Sequence, residues 1–132
     1  MKRRSFWKDE RGQSITEFAL LAPLLLLLVF GIIDLGRFLY GNLQLQMAAQ
    51  ETVRLGGLGK SDAEMEQFAR SYIHFTDSAA LQFQVSPSDA ERDSGDYVTV
   101  TLQTPHHFLT PVANSLLSDA TTIHVESTIR VE

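Results

Sequence analysis

The sequence predicts an α+β protein in which a long N-terminal helix continues onto a small domain with a second helix and a three-stranded antiparallel sheet. Residues 18–33 form a run of sixteen residues without a charge, which is typical of a membrane-spanning helix. In the C-terminal half, apolar and polar residues alternate in three segments rich in β-branched residues, the pattern of half-buried antiparallel strands. The predicted strands are 81–85, 97–102 and 121–131.

The uncharged run is almost long enough to cross a bilayer. Sixteen residues rise roughly 24 Å in a helix, and flanking apolar residues extend the run towards the ~30 Å of a hydrocarbon core. Five consecutive leucines, residues 24–28, cover every face of a helix and argue against a buried helix of a soluble protein. We therefore expect a transmembrane helix over residues 13–40, in which Asp34 and Arg37 pair on one face.

The charges are distributed unevenly along the chain. In residues 1–11, five basic side chains against two acids give a formal charge of +3, so the total of −5 leaves −8 for the remainder. A basic N-terminus beside an apolar span predicts a cytoplasmic N-terminus and an extracytoplasmic C-terminal domain, residues 41–132. The acidic domain argues against nucleic acid as a partner. The residues that predict this topology are Lys2, Arg3, Arg4, Lys8 and Arg11.

We expect one helix from about residue 14 to 55, with its outer half packed on the domain. Its apolar side is predicted from residues spaced four apart, with further apolar residues nearby and glutamines on another side. These apolar residues are Leu35, Leu39, Leu43 and Met47, with Phe38, Leu45 and Ala48 nearby. Arg54 and the glycines 56–57 predict the end of this helix. A capping box at residues 61–64 predicts a second helix to about His74.

Two connections link the predicted strands. Residues 86–96 are polar, and residues 105–118 make a longer excursion with a predicted short helix at 112–117. Within the second connection, the aromatic and proline-containing segment 104–111 either folds back on the sheet as core or forms a docking loop. The core interpretation is favoured.

The N-terminus allows four interpretations. A secretory signal peptide requires a small-residue cleavage site after the apolar run, and residues 30–34 offer no good one. A twin-arginine signal fits Arg3 and Arg4, but it also ends at such a site. An uncleaved signal anchor explains everything except Glu17, a carboxylate that is costly at the mouth of a membrane helix.

The fourth interpretation rests on residues 11–18, Arg-Gly-Gln-Ser-Ile-Thr-Glu-Phe. This segment resembles a prepilin-type processing site, with Gly12 before the scissile bond and Gln13 as the new N-terminus. Glu17 is then the fifth mature residue, and Phe18 occupies the position where Flp-type pilins usually carry tyrosine. The following Ala-Leu-Leu-Ala-Pro and the later Ala-Ala-Gln-Glu-Thr-Val-Arg are similar to the TadE-like family, apart from Gln50 and residues 52–53.

The resemblance implies a minor pseudopilin-like subunit of the tight-adherence (Tad, or Flp) pilus, built on the general pilin plan. A prepilin peptidase would remove the leader, residues 1–12. The implied partners are other pilin and pseudopilin subunits, the Tad inner-membrane assembly platform and the lipid bilayer. The protein would sit in the bacterial inner membrane as a single-pass protein, with a role in adhesion or secretion.

Two residues of the apolar helix have implied roles in assembly. Glu17 would face the N-terminal amine of a neighbouring subunit, because an unpaired carboxylate in a low dielectric protonates or costs several kcal/mol. The alternative is a hydrated Glu17 among lipid headgroups. Pro23 removes one backbone hydrogen bond, so a kink or local opening is expected. It either lets the helix stretch during assembly or is a tolerated membrane proline. Glycines 31, 36 and 41 are expected to soften the helix.

Other motifs do not support a catalytic or metal site. Gly59-Lys60-Ser61 lacks the first glycine and the preceding strand of a P-loop. The acids of residues 89–96 depart from a calcium loop, so a solvated loop is expected. The four histidines are His74, His106, His107 and His124. They lack zinc-ligand spacing, and no nucleophile motif is present. We expect no enzyme, cofactor or metal. An uncleaved adaptor with a periplasmic binding domain and an anchored hydrolase are the alternative functions.

Overall fold

The structure, a computed structural model, describes residues 10–117 and 121–132. Three α-helices, three strands and two short 3-10 helices, Ser78–Ala80 and Asp89–Glu91, occur within these ranges, and the α+β prediction is confirmed. The α-helices and strands are numbered in chain order. They are α1 (Glu10–Gly57), α2 (Asp62–Tyr72), β1 (Gln82–Ser86), β2 (Tyr97–Pro105), α3 (Pro111–Leu117) and β3 (Thr122–Arg130). The basic residues Lys2, Arg3, Arg4 and Lys8 lie outside the described residues, as does the side chain of Arg11, so the orienting role of this set stays a prediction.

Helix α1 is longer than the sequence predicts. Its 48 residues rise about 72 Å, and it begins at Glu10, upstream of the expected start near residue 14. The glycines 56–57 lie inside the helix rather than after it. The end is formed by Gly59, which has a φ of +77°. The amide of Gly59 donates to the Gly56 carbonyl at 3.1 Å, and the amide of Lys60 donates to the Leu55 carbonyl at 3.1 Å. This pair of bonds is the Schellman pattern, which favours glycine at the left-handed position.

The face of α1 that packs on the domain is lined by small residues. Ala48 and Ala49 are fully buried, and Gly41 has little room for a side chain. A Cβ on Gly41 would lie 3.0 Å from Phe75 Cε2 and 3.1 Å from Ile123 Cδ1. Gly41 therefore permits close packing, in contrast to the predicted softening role.

The predicted apolar side of α1 is partly wrong. Leu45 and Ala48 are buried as expected, but the residues spaced four apart are 44–58% exposed. These exposed residues are Leu35, Leu39, Leu43 and Met47, which we call the outer ridge. The physical reason is that the sheet packs most closely against the glycine and alanine positions, so these four side chains remain largely outside the contact with the sheet.

Helix α2 begins where predicted. Ser61 is its N-cap, and Ser61 and Glu64 form the two reciprocal bonds of a capping box. Met65 and Ala69 are buried beneath it. A Cβ on Gly56 would lie 2.7 Å from Met65 Cε, so α2 also contacts α1 at a glycine.

The sheet has the order β1-β2-β3, with both pairs antiparallel. Along β2, alternate residues face α1 and are fully buried. They are Val98, Val100, Leu102 and Thr104. Val100 lies opposite Val85 of β1, and Leu102 lies opposite Val125 of β3. The core therefore lies between the sheet and the outer half of α1, with α2 covering one end.

Candidate functional site

The predicted processing site lies in the first turn of α1. Gly12 and Gln13 are exposed, and a Cβ on Gly12 would have no atom within 4 Å. The bond between them is therefore accessible, but its backbone is helical. A protease that binds an extended substrate would have to unwind this turn, which is possible because helix termini fray.

Glu17 is exposed one turn further along the helix. Its Oε1 accepts a hydrogen bond from Gln13 Nε2 at 3.0 Å, within the same helix. Phe18 beside it is 72% exposed. The helix continues without interruption through Pro23. The part of α1 that precedes the domain carries Glu17, Phe18 and Pro23. Along the helix axis, Glu17 lies roughly 25 Å from Asp34.

Asp34 lies at the other end of the uncharged run and has a different environment. It is 3% exposed and accepts hydrogen bonds from the loop after β2. The Leu109 amide donates to Oδ1 at 2.8 Å, and the Thr110 amide donates to Oδ2 at 3.0 Å. The Thr110 hydroxyl also donates to Oδ2, at 2.7 Å. We call this set of bonds the Asp34 clamp. It satisfies a buried carboxylate with neutral donors that lie far away in sequence.

The local sequence explains why the loop presents these donors. Pro111 is the first residue of α3, where its missing amide costs nothing, and Thr110 precedes it. The Asn114 amide donates to the Thr110 carbonyl at 3.1 Å. Asn114 also holds Phe108, through Nδ2 to the Phe108 carbonyl at 2.9 Å. The loop is thus rigid enough to direct two adjacent amides at one carboxylate.

An aromatic cluster packs beside the clamp. The His106 ring contacts Phe38 and Phe108 edge to face, with centroid distances of 5.4 Å and 5.1 Å. His106 Nε2 is buried without a hydrogen-bond partner in the described structure. Burial and the nearby Arg37 guanidinium lower the pKa of His106, which keeps the imidazole neutral.

An open groove of about 400 Å³ runs between α1 and this loop. Its lining is almost entirely apolar and includes side chains from both sides of the junction. They are Gly31, Leu35, Phe38, Phe108 and Ala113, with the clamp residues Asp34 and Thr110 at its polar end.

The predicted pairing of Asp34 with Arg37 is a minor part of this arrangement. Arg37 Nη1 lies 3.9 Å from Asp34 Oδ1, further than the three donors of the clamp, and its side chain is 49% exposed.

The prediction for segment 104–111, that it folds back on the sheet as core, has a mixed outcome. Thr104 and Thr110 are buried, but residues 109–110 fold onto α1 rather than onto the sheet. The clamp was not predicted, although a carboxylate ending an uncharged run was a signal for it.

The acidic loop after β1 is organised by hydrogen bonds within the protein. Asp62 and Asp89 exchange bonds between their amides and carboxylates, at 3.3 Å and 3.2 Å. Arg92 pairs with Asp62 and is buried, and this burial lowers the pKa of Arg92.

In residues 10–117 and 121–132, no group of three or more histidines or acids is arranged to hold a metal. For the alternative of an anchored hydrolase, Asp119 and His124 are too isolated in the sequence to suggest a site, and Asp119 lies outside the described residues.

Helix α1 is long and apolar enough to span a membrane, and the rest of the chain covers almost none of its apolar stretch. Within residues 10–117 and 121–132 this is the one helix that could cross a membrane, and its continuation into a helix-and-sheet domain is consistent with the class of membrane-anchored α+β proteins. The family model of TadE-like proteins matches residues 12–54, about a third of the 132-residue chain, and this confirms the resemblance over that segment. The match indicates a component associated with the Tad pilus. No curated protein and no solved structure matches the chain.

Proposed function

We propose that this protein is a minor, non-enzymatic pseudopilin-like subunit that helps to assemble a Tad-type pilus. In this proposal, α1 crosses the bacterial inner membrane with its N-terminus in the cytoplasm, and a prepilin peptidase cleaves between Gly12 and Gln13. The observation that carries the proposal is the exposed Glu17, five residues after Gly12 in the segment that matches the TadE-like family.

The chemistry of Glu17 supports an intermolecular partner. The donor to Glu17, the side-chain Nε2 of Gln13, carries no charge, whereas cleavage would create an ammonium at the backbone nitrogen of Gln13 in every subunit. A hydrogen bond from a neighbour's ammonium would add the attraction between two opposite charges, which the uncharged Gln13 side chain does not supply. In the low dielectric of packed helices, other registers would leave the carboxylate unpaired, so this bond would also select the axial register.

The outer ridge supports assembly through helix packing. Leu35, Leu39, Leu43 and Met47 continue the apolar surface of α1 beyond the uncharged run and remain 44–58% exposed. A row of large apolar side chains on an exposed helix face is costly in water and is typical of an interaction surface. In the proposed fibre, this ridge contacts the apolar helices of other pilin or pseudopilin subunits.

A second candidate is an uncleaved single-pass adaptor with a periplasmic binding domain. One observation favours it: α1 begins at Glu10, so the Gly12–Gln13 bond lies inside a helical turn. The adaptor predicts that the leader stays attached and that Glu17 can be replaced without loss of function.

The intact mass of the protein from its native membrane distinguishes the two candidates. We expect a mass without residues 1–12 that depends on the prepilin peptidase of the host. Gly12→Val should block processing, while Gly36→Val is the matched control in the same helix, since neither added Cβ meets an atom within 4 Å. A full-length mass in the presence of the peptidase would refute processing and support the adaptor.

A further inference from the structure

The Asp34 clamp brings one edge of the domain to the end of the uncharged run. Residues 109–110 bond directly to Asp34, which immediately follows residues 18–33. Residues 13–33 of α1 rise about 31 Å, which matches a hydrocarbon core of ~30 Å. The edge formed by residues 106–113 therefore lies at the outer surface of any bilayer that α1 spans.

The clamp also supplies the Asp34 carboxylate with hydrogen-bond donors, so that it does not need water at this edge. Asp34 is 3% exposed, and its two oxygens accept from the Leu109 amide, the Thr110 amide and the Thr110 hydroxyl. The apolar side chains beside it remain uncovered, with Leu35 58% and Leu109 57% exposed. An apolar edge with its one acid already satisfied is suited to contact with hydrocarbon rather than water.

The groove at this edge is continuous with the lipid-facing surface of α1. Gly31 lies within the uncharged run, and Leu35 lies one turn further, so the same helix face lines both the bilayer and the groove. Its volume of about 400 Å³ is within the range of small-ligand sites. Arg37 lies beside the groove rather than in its lining: its side chain is half exposed, and its guanidinium is 3.9 Å from Asp34 at the polar end. This arrangement offers an apolar channel for a chain and a cation for a phosphate.

We propose that this edge binds a glycerophospholipid of the outer leaflet. One acyl chain lies in the groove between Leu35 and Phe108, Leu109 inserts beside it, and Arg37 binds the phosphate. The consequence is a domain seated on the membrane surface with a fixed tilt, rather than one tethered above it. The proposal rests on α1 spanning a membrane, as proposed above, but it is independent of cleavage at Gly12 and of pilus assembly.

Photo-crosslinking of the full chain in phosphatidylcholine vesicles tests this proposal. The vesicles carry a phosphatidylcholine with a diazirine in its acyl chain, and trypsin then separates peptide 12–37, which includes the span, from peptide 93–130, which includes the groove loop. We expect label on both peptides, with the label of the second within residues 106–113. Label on peptide 12–37 alone would overturn the lipid site and leave membrane insertion intact. Label on neither peptide would refute the spanning helix and the lipid site together.

Two matched pairs of variants locate the lipid. Ala113→Trp fills the groove and should abolish label on peptide 93–130, whereas Ala63→Trp on the exposed face of α2 should leave it unchanged. Arg37→Gln should reduce this label, whereas Arg54→Gln should not. Arg54 forms the same type of ion pair, at 3.8 Å with Glu51, but lies at the far end of α1. Equal label in all four variants would mean that the contact is nonspecific, and the lipid site would be refuted.

Discussion

Two carboxylates lie at the two ends of the apolar half of α1, and their environments are opposite. Asp34 is almost completely buried, and a loop more than seventy residues away supplies two amides and a hydroxyl to it. Glu17 is exposed and bonds to a side chain of its own helix. A buried charge must be satisfied within the molecule, whereas an exposed one at the mouth of an apolar helix remains available to another molecule. Asp34 thus joins two parts of one chain, and Glu17 is the better candidate for joining two chains.

The two halves of α1 also differ in how far the rest of the protein covers them. Around Gly41 the helix is covered by the domain, and small residues permit close contact. Before Asp34 the helix is bare, with most of its large apolar side chains exposed. By position in the sequence, the outer ridge lies in the half of α1 that packs on the domain. Its side chains are nevertheless exposed, like those of the half before Asp34. The apolar surface available to a membrane or to other helices therefore extends past the end of the uncharged run.

The largest effect on the contrast between Asp34 and Glu17 is expected when the Asp34 carboxylate is removed. Asp34→Ala leaves the Leu109 and Thr110 amides without their acceptor, and we expect the loop to open more easily by about 3 kcal/mol. Hydrogen exchange of these two amides, measured on the full chain in detergent, should become about 100-fold faster.

The control for this substitution is Glu51→Ala, which removes an exposed carboxylate from the same helix. It should leave exchange at Leu109 and Thr110 unchanged, because surface ion pairs contribute little. If Asp34→Ala and Glu51→Ala gave the same exchange rates, the clamp would not hold the domain edge to α1.

A smaller effect is expected from the side chain of Thr110 alone. Thr110→Val removes the 2.7 Å bond to Asp34 Oδ2 but keeps both amide bonds, and it should cost about 1–2 kcal/mol. Thr128→Val is the matched control, since it removes an exposed hydroxyl pair with Thr99 at 2.8 Å and should cost less than about 0.5 kcal/mol. Thermal unfolding of the domain compares the two, and a larger loss for Thr128→Val would contradict the ranking.

The smallest expected effect is a pH dependence at the clamp. Burial holds the pKa of His106 below its ordinary value of 6.5, so the unfolded chain binds this proton first as the pH falls. Stability should therefore decline by up to about 1 kcal/mol as the pH falls from 7 towards 5. His106→Phe should reduce this decline, whereas His124→Phe at an exposed strand position should not. An unchanged pH profile in His106→Phe would contradict the buried neutral imidazole.

Much of the fold could be predicted because it depends on local patterns. The capping box at Ser61 and the period-two alternation of the strands are short-range signals, and both agree with the structure. The Asp34 clamp could not be predicted in the same way, because its donors are mainly backbone amides, which have no sequence signature. The outer ridge was misassigned because α1 is apolar on several sides, and periodicity alone does not identify the side that the sheet covers.

The measurement that tests the central claim most directly is Glu17→Gln, with domain stability and piliation measured on the same variant. The side chain keeps its size and loses its charge. We predict unchanged membrane insertion and an unchanged unfolding temperature, because no part of the domain contacts Glu17 in the described structure. We also predict the loss of most surface pili, because the neighbouring ammonium would have no carboxylate partner. Normal piliation in this variant would contradict the account.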